Sequence, residues 1–144
     1  MQENIENLML EEHKRIINII REFESIADND LVLAKEKFSR FKWNLEKHFF
    51  VEEKAIFSIL DKIKDKEVSD IFDLMYEHGS IIELINNIEV GLNRGMMPNL
   101  SGLRIILVRH VDFENEVFYP QLNQLLSPEK KQEIIERIKE VIRG

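Results

Sequence analysis

The sequence has no cysteine. Disulfides, zinc ribbons, iron–sulfur ligation and thiol catalysis are excluded together, so metal or redox chemistry has to use histidine and carboxylates. Glycine and proline are scarce, 5 and 3 in 144 residues, and bunched, which favours long helices with few breaks. No stretch alternates apolar and polar residues with period two, so strands are not expected. No basic run is present, and the net charge of −7 repels a nucleic-acid backbone. No apolar run approaches the roughly 18 residues that cross a bilayer. The acidic start, MQENIENLML, lacks the basic flank and apolar stretch of a signal peptide. These absences describe a cytoplasmic protein with neither a nucleic-acid nor a membrane partner.

What is present is 44% hydrophobic and 33% charged residues, in a length that fits one domain over 1–144. Turn chemistry marks IADNDL (26–31), NRGMMPNLSG (93–102) and LLSPEK (125–130), and a change of phase marks DKIKDKEVSD (61–70). Between these breaks, apolar residues recur in steps of three and four. The first stripe is Ile5, Met9, His13, Ile16, Ile20, Phe23 and Ala27; the second is Ala34, Phe38, Phe41, Leu45, His48, Glu52, Ala55 and Ile59. The third is Val68, Ile71, Met75, His78, Ile82, Ile85 and Leu92; the fourth is Leu103, Leu107, His110, Glu114, Val117 and Gln121. They predict an all-α, up-down-up-down four-helix bundle over about 2–125. Ser127-Pro128-Glu129 then starts a short fifth helix over about 128–142, with Ser as cap, Pro in the first turn and Glu on the helix dipole. Ile134, Ile135, Ile138, Val141 and Ile142 give it one apolar side, expected to pack on the bundle, with a dimer contact as the alternative. The chain is therefore expected to be a monomer or weak dimer.

The two halves echo each other. EEHKRI (11–16) resembles YEHGSI (76–81), and HFFVEEKAIFSIL (48–60) resembles HVDFENEVFYPQL (110–122). Each half is a helical hairpin whose first helix carries one His and whose second carries His-x-x-x-Glu. Taken singly, a stripe histidine is a core residue bonded to a neighbour, and His48 with Glu52 is an ion pair on a helix face. Six such residues together need a common explanation, because a lone buried carboxylate costs several kcal/mol unless protonated, paired or bound to a metal.

His13, His48, Glu52, His78, His110 and Glu114 are thus candidate metal ligands in a bundle core. They are too many for one tetrahedral zinc and too rich in nitrogen for magnesium or calcium. Imidazole with carboxylate suits iron, with manganese, zinc or copper as lesser options. Shared by two metals, the six donors give each two histidines, with both glutamates bridging. A bridging oxo or hydroxo group would still leave each metal an open position for a small ligand.

These motifs carry a resemblance running from His13 through Pro120. HFFVEEKAIF and HVDFENEVFYP are similar to the His-x-x-x-Glu motifs of the hemerythrin-like (HHE) family, typically followed by an apolar-aromatic pair and Pro. EEHKRI and EHGSI are like its two lone-His helices. The resemblance implies a non-haem di-iron centre. Oxygen carriers of that family have a further His four residues after the third helix's His, where this chain has Ile82, and an Asp five after the fourth helix's His, where it has Asn115. The four-His, two-Glu pattern is closer to the branch implicated in iron-centre repair and nitric-oxide stress, whose usual N-terminal Cys-containing domain has no counterpart in this sequence.

The expected function is binding of O₂ or NO at such a centre. The alternatives are a di-iron oxidoreductase acting on NO or peroxide with an external electron donor, an iron store or donor to an acceptor protein, and a metal-free helical interaction module. Whether the protein is an enzyme stays open. Tyr119 is read as a packed core aromatic rather than a donor to the centre. Glu12, Glu53 and Glu77 are read as solvated, with a partner to a ligand imidazole as the alternative for Glu12 and Glu77. Phe49, Phe113 and Phe118 are read as a dry wall.

Overall fold

The computed structural model describes residues 4–26, 30–61 and 70–143. Ala27, Val68 and most of the 61–70 break lie outside the described residues. Helix α1 spans Ile5–Glu24 and α2 spans Leu31–Val51; α2 continues through a wide turn, Glu52–Phe57, into α3, Ser58–Asp61. Helix α4 spans Asp70–Asn93 and α5 spans Ser101–Phe113; α5 continues through a second wide turn, Glu114–Phe118, into α6, Tyr119–Leu125. Helix α7, Pro128–Arg143, follows. The described residues contain no strand, and the architecture is a four-helix bundle with a C-terminal helix.

Local chemistry sets the ends. Asn4 and Asp30 cap α1 and α2, their side chains accepting from Asn7 N–H at 2.7 Å and Leu33 N–H at 3.1 Å. Gly95, at φ 85°, ends α4 in the left-handed region, with Met96 N–H bonded back to Gly91 C=O at 2.9 Å. Ser127 Oγ accepts from Lys130 N–H at 3.2 Å and caps α7 as expected.

The wide turns are what the sequence periodicity does not show. Ser58 N–H bonds Glu53 C=O and Tyr119 N–H bonds Glu114 C=O, each five residues back where a regular helix bonds four. One extra residue per turn rotates the buried face. On the fourth stripe Val117 is therefore 45% exposed and Gln121 only partly buried, while Phe118, Tyr119 and Leu122 face the core. The third stripe also needs correction. Leu74 and Ile81 are buried, whereas Met75 is exposed and Ile82 partly buried. α4 is apolar nearly all round, so steps of three and four fit two registers one residue apart.

The core is two apolar clusters with a polar layer between them. One cluster holds Ile5, Met9, Val51, Ile56, Leu74, Tyr119 and the inner face of α7; the other holds Ile16, Phe38, Leu45, Ile81, Leu107 and their neighbours. Along α1 His13 falls between Met9 and Ile16, and along α4 His78 falls between Leu74 and Ile81. Each fully buried Ile, Leu or Phe contributes about 1.5–3 kcal/mol. Against this stands the polar layer, each buried ion costing several kcal/mol when uncompensated.

Candidate metal centre

All six residues singled out from the sequence lie in that layer, none more than 3% exposed: His13 from α1, His48 from α2, Glu52 opening the first wide turn, His78 from α4, His110 from α5 and Glu114 opening the second. They form two overlapping groups, His13–His48–Glu52–Glu114 and Glu52–His78–His110–Glu114. Within each group one ligand atom per residue lies within 4.8 Å of the others. Glu52 Oε1 is 2.6 Å from His48 Nε2 and 3.7 Å from His78 Nε2. Glu114 Oε1 is 3.3 Å from His13 Nε2 and 3.2 Å from His110 Nε2. Each carboxylate oxygen therefore faces one imidazole of each group.

Does this arrangement fit metal ions? Glu52 Oε1, Glu114 Oε1, His78 Nε2 and His110 Nε2 are buried and have no hydrogen-bond partner, despite the short distances between them. Buried polar atoms are rarely left so, and convergent lone pairs are satisfied by a cation. His13 Nε2 and His48 Nε2 approach to 3.1 Å. Two nitrogens each about 2.1 Å from one ion and at right angles to each other stand about 3 Å apart. The donor set fits a pair of metal ions.

The far side of three of the four imidazoles is held by a hydrogen bond to a polar side chain, while His48 Nδ1 has none. His13 Nδ1–H donates to Asn115 Oδ1 at 2.8 Å, His110 Nδ1–H to Glu77 Oε2 at 2.7 Å and His78 Nδ1–H to Glu53 Oε1 at 3.3 Å. Glu12 Oε2 lies 3.8 Å from His48 Nδ1, an ion-pair distance longer than a hydrogen bond. Holding Nδ1–H in this way leaves Nε2 as the donor and orients the ring. The pattern follows the repeat. The residue before each lone His, Glu12 or Glu77, serves the motif His of its own hairpin. The residue after each motif Glu, Glu53 or Asn115, serves the lone His of the other. From the sequence the role of Glu77 was only the alternative to a solvated residue, and those of Glu53 and Asn115 were missed. Their signal was the alignment of positions 53 and 115, polar in both copies beside the motif Glu.

Tyr119 also departs from the reading as plain core. Its hydroxyl donates to Glu52 Oε2 at 2.8 Å and stands 3.4 Å from Glu114 Oε2. Burial and both carboxylate charges push the phenol well above its ordinary pKa, so it stays a donor. Phe49 stacks on His78 at 3.9 Å between ring centroids, and Phe57 lies nearly parallel to the same ring at 5.7 Å. Of the expected dry wall, Phe49 and Phe118 are buried and Phe113 partly so. Two surface grooves reach the layer. One, of about 360 Å³, is lined by Phe49, Phe50, Met75, His78, Gly79 and Ile82; the other, of about 310 Å³, lies over His13 and Asn115.

The electrostatics of the protein alone follow from crowding. Burial lowers His48, but Glu52 and Glu12 outweigh it and carry the imidazole up to about 10. Burial likewise lowers His110, and Glu114, Glu52 and Glu77 carry it up to about 9. His78 is pushed down to about 4 by burial, against the charge of Glu52 and with the cations of His110 and His48. Burial raises Glu114, yet its contacts with Glu52, His110 and His13 hold it well below the usual carboxylate range. Protons and metal ions thus compete for the same nitrogens.

Fold and layer together define a helical-bundle protein with a buried His/Glu cluster able to hold metal. Residues 4–122 match the hemerythrin HHE cation-binding domain, and the chain belongs to that family. No curated protein and no solved structure matched the chain.

Proposed function

We propose that the protein is a non-haem di-iron protein that binds O₂ or NO. His13 and His48 would hold one iron and His78 and His110 the other, with Glu52 and Glu114 shared between them. The observation that carries this reading is the two overlapping four-donor groups sharing both carboxylates, whose lone pairs converge without hydrogen-bond partners. Imidazole and carboxylate without thiolate favour iron over softer-ligand metals. Bound there, two irons supply redox-active positions for a small ligand. The chain's part is to fix the imidazoles of His13, His78 and His110 through their Nδ1–H groups, to turn both Oε1 atoms inward while Tyr119 engages the Oε2 atoms, and to exclude bulk water with Phe49, Phe57 and Phe118. The grooves beside His78 and His13 bring the surface close to both halves of the layer. Cytoplasmic location, and an electron donor or iron acceptor as partner, belong to the same reading.

Anaerobic reconstitution with Fe²⁺ followed by metal analysis should give two irons per chain; less than one overturns the reading. Spectra of the reduced protein with O₂ or NO then separate the roles. A reversible band means carrier or sensor, and one-way oxidation means a redox role. Multiple-turnover consumption of NO or peroxide means a reductase, and transfer of iron to an apo iron–sulfur acceptor means a donor.

A further inference from the structure

Helix α7 lies beyond the residues that match the family, yet it is packed chiefly on the wide turn that begins at Glu52. We propose that α7 is part of the metal site: through Arg137 it holds the turn that presents Glu52. The proposal rests on the reading of Glu52 as a ligand.

A helix that widens to five-residue bonding passes over one carbonyl at the far end of the wide turn, and that carbonyl needs another donor. In the first turn Ser58 N–H goes to Glu53 C=O, so it passes over Lys54 C=O. Two side chains supply that carbonyl instead. Ser58 Oγ donates to it at 2.6 Å and Arg137 Nη1 at 3.3 Å, and Arg137 Nη1 also donates to Ser58 Oγ at 3.2 Å. The second turn has a different solution. Pro120 stands where the repeat puts Ser58. It has no N–H to place, and its ring would strike the carbonyl four residues back in a regular helix, a clash that widening relieves.

Exposure differs between the turns at one position. Ala55 of the first turn is fully buried where its counterpart Val117 is 45% exposed, although Phe118 and Tyr119 are as buried as Ile56 and Phe57. The cover over the first turn includes α7, whose Ile134 and Ile138 are fully buried in the cluster that also holds Val51 and Ile56. One carboxylate is thus presented by a turn set by its own proline, the other by a turn that depends on a distant helix. Arg137 is a positioning residue for Glu52.

The test compares Arg137→Ala with the parent, with Arg137→Lys as the conservative variant and Lys130→Ala as a control cation on the same helix. Hydrogen exchange of the metal-free proteins is read first. Arg137→Ala should raise exchange about tenfold in residues 52–59 and leave 114–122 unchanged, with Arg137→Lys intermediate and Lys130→Ala like the parent. The Fe²⁺-loaded proteins are then mixed with a chromogenic chelator, and Arg137→Ala should release iron about tenfold faster. Unchanged exchange at 52–59, equal increases at both turns, or an unchanged release rate each overturn the proposal. A parent that takes up less than one iron per chain sinks the di-iron reading itself, and the link from α7 to the site with it, even where the exchange data agree. Should Arg137→Ala fail to fold, Ser58→Ala removes the nearer donor; it should give the same local increase in exchange, and its failure to do so refutes the clamp.

Discussion

Replacing Tyr119 by Phe isolates one hydroxyl. The ring is 1% exposed, and Phe57 occupies the equivalent place in the other half, so the fold accepts a phenylalanine there without leaving a cavity. What disappears is a donor 2.8 Å from Glu52 Oε2 and 3.4 Å from Glu114 Oε2, both buried. A hydrogen bond to a charged group contributes about 1.5–3 kcal/mol. In the metal-free protein the loss should therefore be about 2 kcal/mol. At about 2–4 °C per kcal/mol for a chain of this length, Tm should fall by about 4–8 °C. With iron loaded, the ions neutralise the same carboxylates and the drop should shrink to less than half. The stoichiometry should stay at two, because Tyr119 belongs to neither donor group. Thermal melts followed by circular dichroism, with and without iron, read both numbers. A metal-free Tm within about 1 °C of the parent refutes the support assigned to the hydroxyl; loss of iron would make Tyr119 a ligand.

Glu52→Ala should lose both irons, from two to well under one per chain by metal analysis, since both groups share that carboxylate; a full complement would end the bridging assignment. Asn115→Ala leaves His13 Nδ1–H without its acceptor and should weaken the His13–His48 position about tenfold or more in a chelator competition, sparing the other. Equal affinities for both positions, unchanged from the parent, would contradict this. Iron uptake at pH 7 should release about two protons per chain, from His48 and His110, because burial depresses both but the facing carboxylates carry them up to about 10 and about 9. Calorimetry in two buffers of different ionisation heat measures that number, and a value near zero would exclude it. Both values lie above the ordinary 6.5. Their contribution to the metal-free fold is complete below pH 6.5 and is lost as pH climbs through 9 to 10, so the metal-free Tm should fall over that span.

The six candidate ligands were legible because burying them breaks the apolar rule at matching places in a repeat. Histidine at a stripe position is weak by itself; His48 and Glu52 echoed by His110 and Glu114 is strong. Residues at the turns were not legible, since a periodicity of 3.6 assumes the regular helix that Glu52 and Glu114 interrupt. Val117 was therefore misplaced and Tyr119 underread. Met75 and Ile82 failed for a simpler reason: α4 offers apolar side chains on nearly every face, so burial there is decided by neighbouring helices. Arg137 was invisible from the sequence, because its role depends on a carbonyl that only the folded turn leaves without an N–H.

Each donor group takes three residues from one hairpin and borrows one carboxylate from the other. The loan is mutual, and it extends to Asn115 and Glu53, which reach across to the partner hairpin's lone histidine. In plan this is a homodimer of hairpins whose two copies share one chain. A true homodimer would have to keep its halves identical; joining them lets the halves differ. Asn115 stands opposite Glu53, Pro120 opposite Ser58 and Tyr119 opposite Phe57, so on the proposed reading two ions would be unequal neighbours. The order in which the positions would fill, and the one that would empty first, would then be a property of the sequence.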